Sequence, residues 1–154
     1  STNRDAVYAA REHVVDQVVA KYPNVKFQFI GANPPDDIKH PNMEFLGFVD
    51  HLEHYLKKCD VMISPILAGW GMPTKIIESL ACGKPIVATE TASRAVPKKY
   101  RSLHVVDIKE FSNTIVALLK KNKPVDDSDF DMLMEEFTWA GAIDNLGQEI
   151  ERRI

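Results

Sequence analysis

A chain of 154 residues, 45% hydrophobic and 27% charged, is long enough to hide a core without metal or disulfide staples, which excludes the collagen-like, disordered and disulfide-scaffold classes. Its 19 basic and 22 acidic side chains leave a formal net charge of -3 with no dense Lys/Arg block, so no surface built for nucleic acid or anionic lipid is expected. Cys59 and Cys82, each beside an apolar run, fit a reducing, cytoplasmic setting, and no apolar stretch approaches the ~20 residues of a membrane helix.

Within residues 4–22, Val7, Ala10, Val14, Val15, Val18 and Val19 recur at three- and four-residue steps, which predicts one helix face ending at Pro23. Residues 25–30 alternate with Lys26 and Gln28 and close on Gly31, a strand pattern followed by a loop through Asn33, Pro34 and Pro35. A second short strand, 44–48, contains Gly47, and residues 51–58 form a helix with Leu52, Tyr55 and Leu56 inward. Residues 61–66 are nearly all apolar, as expected of a strand buried on both faces of a parallel sheet. A glycine loop with Gly69 and Gly71 leads to Pro73 at the first position of a helix that Gly83 stops. Strands at 85–89 and 103–106, a helix over 109–121, a helix over 126–137 capped by Ser128, and a last amphipathic helix carrying Trp139, Ile143, Leu146, Ile150 and Ile154 complete the chain. Strands alternating with helices at short loop lengths predict a single α/β domain, a Rossmann-like parallel sheet with helices on both faces.

In such a sheet, ligands bind at the carboxyl ends of the strands, beside helix N-termini that offer unpaired N–H groups and partial positive charge. Residues 66–78 supply the parts: a buried strand, a glycine loop and a fresh helix. A phosphate would sit at the amides within residues 71–75, with Lys75 as a point charge and Glu78, one turn on, to accept hydrogen bonds from a ribose diol. A tight turn followed by a solvated Lys–Glu pair is the bland alternative. His51 and His54 share a helical face, but without a third ligand a solvated helix start is the simpler reading than metal. The acidic run at 126–131 lacks the glycine and closing glutamate of a calcium loop and reads as negative charge at a helix N-terminus. Residues 89–91 reach the same sheet edge, where loop structure is a simpler reading than ligand contact, and Arg94 reads as solvated.

The stretch 59–89, CDVMISPILAGWGMPTKIIESLACGKPIVAT, resembles the nucleotide-sugar-binding half of GT-B glycosyltransferases, most closely the retaining family 4, or group 1, transferases. FIGAN at 29–33, MEFLGFV at 43–49 and the Phe137-Thr138-Trp139 entry to the last helix agree with it. The resemblance implies that Glu78 binds the ribose hydroxyls, that Gly69, Trp70, Gly71, Met72, Pro73, Thr74 and Lys75 cradle the diphosphate and donor sugar, and that Gly47 and Phe48 lie against the nucleobase. It implies no metal ion and no cofactor, the nucleoside diphosphate sugar being the substrate and fixed amide dipoles with basic side chains stabilising the leaving diphosphate.

Trp70 stands where many relatives carry a glutamate that touches the donor sugar. Relatives also open this half with a strand and loop bearing a Gly-Arg and a Lys that clamp the diphosphate, for which Arg4 is a poor substitute, and precede it with a whole acceptor-binding N-terminal domain. The chain therefore reads as the donor-binding half of a two-domain enzyme that moves a hexose to a hydroxyl acceptor, inactive by itself. Residues 139–154 are then the helix that crosses to the N-terminal domain, and any association with a membrane surface would come through the full-length enzyme. A non-hydrolysing nucleotide-sugar 2-epimerase and a catalytically silent binding domain share the architecture and are the rival readings.

Overall fold

The structure is a computed structural model that describes residues 2–69, 74–121 and 128–137. Helices α1 (Thr2–Ala10) and α2 (Asp16–Lys21) are joined by one π turn, Arg11–Val15, into a continuous helical run. Ala10, Val14, Val15 and Val18 bury one face of it, as the spacing predicts. A π turn displaces the helical ladder and loosens its carbonyls. Here the buried Ser112 hydroxyl reaches across to His13 O (3.2 Å) and Val14 O (3.5 Å).

Strand β1 (Phe27–Ile30) pairs in parallel with β2 (Met43–Gly47), with Phe29 and Phe45 stacked at 5.2 Å between ring centroids. Asn42 sets the entry to β1 by donating from its side-chain amide to Pro23 O and Val25 O, both at 2.8 Å. Helix α3 (Leu52–Lys58) then leads to β3 (Met62–Ser64), α4 (Thr74–Ala81) to β4 (Ile86–Ala88), and the short α5 (Glu90–Ser93) to β5 (Leu103–Val105). A 3-10 turn, Ile108–Glu110, opens α6 (Phe111–Lys121), and α7 (Ser128–Phe137) is the last described element. Gly83, at φ +65, ends α4: its N–H bonds Leu80 O and the Lys84 N–H bonds Ser79 O, the paired contacts of a Schellman stop.

Strand β4 lies between β3 and β5, all parallel, and is buried on both faces. Val87 joins the core formed with α2, the π turn and α6 around Val14, Val18, Phe111 and Ile115. Ile86 and Ala88 face the opposite way, onto Ile76 and Leu80 of α4, Tyr100 and Leu103, and Leu133 of α7. This is the expected α/β class, with parallel strands flanked by helices.

Three findings modify the sequence reading. The strands form two parallel sheets, β1–β2 and β3–β4–β5, rather than one. Residues 61–64, expected to be buried on both faces, are only half-buried, because β3 has a partner strand on one edge alone among the described residues. Asp129 lies in the first turn of α7, as the reading of negative charge at a helix N-terminus has it, but it is also fully buried: its carboxylate accepts from the N–H groups of Arg101 (2.9 Å) and Ser102 (2.7 Å) and ties α7 to the base of β5. The predicted final helix over 139–154 lies outside the described residues. No helix among the described residues is long and apolar enough to cross a membrane.

Candidate functional site

The carboxyl ends of β1 and β3 open onto the mouth of a cavity of about 590 Å³ that runs between these two strands. At the end of β1, Gly31 N–H donates to Gly47 O at 2.8 Å, so the ends of β1 and β2 are held together. Gly47 turns the chain there at φ +68, a left-handed conformation that costs other residues about 1 kcal/mol or more. Phe48 follows it at 81% exposed, the barest large apolar side chain among the described residues.

Past β3, the backbone is tethered from the neighbouring strand. The Thr89 hydroxyl donates to Ile66 O, and the Thr91 hydroxyl donates to Leu67 O at 3.4 Å. Thr89 also caps α5, its Oγ1 accepting from Ala92 N–H at 3.1 Å. The loop into the candidate site is thus held by two threonines of the next crossover. Gly69, at φ +122 and exposed, is its last described residue.

Helix α4 begins at Thr74 with no acidic residue in its first turn, so no side chain of its own neutralises the positive end of its dipole. Thr74 and Lys75 are exposed, and Lys75 stands on the cavity wall together with the loop of residues 31–35 and Ile66. Glu78, one turn further, is exposed on the helix and is not turned into the core. Trp70, Gly71, Met72 and Pro73 lie outside the described residues. The fold therefore gathers Lys75, the post-β1 loop and, through Gly31, Gly47 at one edge, whereas Glu78 and Phe48 do not contribute to the cavity wall.

Arg4 shares that cavity wall with Lys75. Nearby, the Tyr8 hydroxyl donates to Asp37 at 2.6 Å, and this bond, the backbone N–H of Asp37 and the charge of Arg4 hold the Asp37 carboxyl below its ordinary value. Only the three-dimensional return of α1 over β1 brings Arg4 here, so no local pattern could have marked it. The role of Thr89 was more legible, since a Thr followed by Glu90 and small residues carries the composition of a helix cap.

Other chemistry is poorly served. Burial pushes the Cys59 thiol above its ordinary pKa, and its Sγ donates to Leu56 O at 3.2 Å, so it is a protonated packing group. His51 and His54 stand 5.2 Å apart with Glu53 between them, exposed on the surface, and no group of three or more metal-ligating side chains occurs among the described residues.

Two solved structures share this fold. HepE of Anabaena in complex with UDP and glucose superposes with a TM-score of 0.68 at 15% identity, covering 90% of this chain and 43% of HepE. HepE in complex with UDP gives 0.67 at 17% identity, covering 90% of this chain and 44% of HepE. At such identities the likeness is one of fold, and the chain spans less than half the length of HepE. No curated protein sequence matches the chain significantly. The family described as glycosyl transferases group 1 matches residues 1–121, which bears out the kinship read from residues 59–89: the chain belongs to the group 1 glycosyl transferases.

Proposed function

We propose that this chain is the donor-binding half of a retaining glycosyltransferase that moves a hexose from a nucleoside diphosphate sugar to a hydroxyl acceptor, in the cytoplasm. The observation that carries the reading is the cavity at the carboxyl ends of β1 and β3, whose wall includes Lys75 and Arg4, beside a helix α4 that has no acidic residue in its first turn and carries Glu78 exposed one turn along. Amide donors and two cations suit the oxygens of a diphosphate, and a carboxylate one helical turn away suits a ribose diol. Gly47 and the bare ring of Phe48 offer a flat apolar surface to the base. HepE, of the same fold, binds UDP and glucose, which supports a nucleotide sugar as ligand.

In this reading the domain grips the diphosphate and presents the anomeric carbon to an acceptor held by an N-terminal domain of a longer polypeptide. Fixed dipoles and Lys75 stabilise the leaving diphosphate without a metal ion. Calorimetric titration of UDP and GDP tests it. Binding of one of them should weaken about 10- to 100-fold in Glu78→Ala, the loss expected when a hydrogen bond to a charged group is removed. Lys75→Gln should weaken binding and flatten its salt dependence. Failure of the chain and of the full-length polypeptide to bind either nucleotide would sink the reading.

A further inference from the structure

Arg4 and Tyr8 stand four residues apart on α1 and so share one face of that helix. Arg4 lines the cavity together with Lys75 and residues 31–35 of the loop after β1. Tyr8 reaches the far end of the same loop, its hydroxyl donating to Asp37 Oδ1 at 2.6 Å. The loop is therefore held at both ends, by Gly31 N–H on Gly47 O at 2.8 Å and by the Tyr8 hydroxyl on Asp37, with Pro35 buried between them.

This anchoring fixes where a negative charge stands. An exposed loop carboxylate with no tether spreads its charge over a wide arc of solvent, whereas Asp37 is kept on the helix face that carries Arg4. Helical side chains lean toward the turn before their own, so Tyr8 leans toward Arg4 and brings the carboxylate with it. The Asp37 carboxyl is held below its ordinary value first by the Tyr8 hydrogen bond, then by its backbone N–H, and also by the charge of Arg4, so the cation and the carboxylate feel each other. Asp36, also exposed and of the same charge, is not the acceptor of the Tyr8 hydroxyl.

We infer that Asp37 is a resident counter-ion of the donor site, a carboxylate that Tyr8 holds beside Arg4 and that competes with the diphosphate of a nucleotide sugar for that cation. The inference deepens the donor-binding reading and rests on it. A diphosphate entering the cavity meets two cations on its wall, Lys75 and Arg4, of which Arg4 is already partly neutralised. The opposition falls on the diphosphate alone, since a carboxylate repels phosphate oxygens and has no such effect on an uncharged base or pentose. What it gains is turnover. Transfer of the sugar leaves a nucleoside diphosphate with a newly ionisable terminal phosphate, which the same cations grip harder than they gripped the donor. A fixed opposing charge loosens that product and speeds its release, a step that limits many transferring enzymes. Asp37 thus tunes the affinity, and Tyr8 is the positioning residue.

Inorganic pyrophosphate, which carries the diphosphate without base or sugar, is titrated calorimetrically against the 154-residue chain. Asp37→Asn keeps an oxygen for the Tyr8 hydroxyl and removes only the charge. At roughly 10 mM salt, where the screening length is ~30 Å, it should tighten pyrophosphate about 2- to 5-fold, and the gain should vanish at ~1 M. In an Arg4→Gln background the gain should shrink, because the cation competed for is gone. Tyr8→Phe should yield part of the gain when Asp37 is present and none in the Asp37→Asn background. An Asp37→Asn variant that binds pyrophosphate no more tightly than the parent overturns the inference. So does an equal gain in the Arg4→Gln background, or an equal gain from Asp36→Asn, either of which would assign the effect to the general charge of the loop. If the parent chain binds UDP or GDP while Asp37→Asn changes nothing, the inference alone falls; if parent and variant bind none of pyrophosphate, UDP and GDP, the donor-binding reading falls with it.

Discussion

Replacing Thr89 by valine removes one hydroxyl and adds one methyl, so it leaves the volume of a nearly buried position unchanged and tests polar contacts alone. Two contacts go: the cap on Ala92 N–H and the tether to Ile66 O. Loss of a threonine cap costs about 1 kcal/mol, within a range of ~0.5–2, and loss of the hydrogen bond to a carbonyl about 0.5–1.5. Together they predict a destabilisation of about 1–3.5 kcal/mol, centred on ~2, which at a urea slope of roughly 2 kcal/mol per molar moves the midpoint down by about 1 M. Thr89→Ser keeps both contacts and gives up one methyl group, so it should cost no more than about 1 kcal/mol. The second readout is the site. With the tether cut, the loop after β3 loses its hold on the mouth, so on the proposed function nucleotide affinity (UDP or GDP) should fall in the valine variant and recover in the serine variant. A valine variant as stable as the parent, or a serine variant as damaged as valine, would refute the argument that the hydroxyl ties one crossover to the next.

Asp129→Ala should destabilise by about 2–4 kcal/mol in thermal or urea unfolding, because it strands the Arg101 and Ser102 N–H groups beside a packed helix, yet it should leave the proposed nucleotide affinity (UDP or GDP) nearly unchanged. A loss below about 0.5 kcal/mol would mean that water replaces the carboxylate there. His104 supplies the pH dependence: burial, and then the charge of Lys121, hold its pKa below the ordinary value, so the fold favours the neutral ring. The unfolded chain then binds the proton more readily, so this contribution to stability is complete above about pH 6.5 and is lost as pH falls from there toward the folded-state pKa. His104→Gln should flatten that decline in urea midpoints measured between pH 7.5 and 5.5, and an unchanged slope would contradict the burial argument.

Much of this protein is written in local pattern. The valine spacing of the first helical run, the apolar strand at 85–89 and Gly83 as a helix stop depend on residues close in sequence, and burial in the structure follows them closely. Kinship with the group 1 transferases rests on one contiguous block, 59–89, and was legible for the same reason. Strand ends move by a residue or two from the expected bounds: the first, third, fourth and fifth strands are shorter than their apolar runs, since ladder bonds end before apolar character does, and the second shifts by one residue to Met43–Gly47.

What tertiary structure alone decided are matters of distance between remote segments. Asp129 reads as one more charge at a helix start until the segment just before β5 brings two amides to it across 27 and 28 residues of chain. Thr89 reads as a loop residue until a carbonyl 23 residues away comes within reach. Residues 61–64 have the composition of a central strand, but composition states what a segment can bury and not whether a neighbour is present to bury it. Propensity and periodicity act over a few bonds, whereas a hydrogen bond or a vacant sheet edge is set by which segments the whole chain brings side by side.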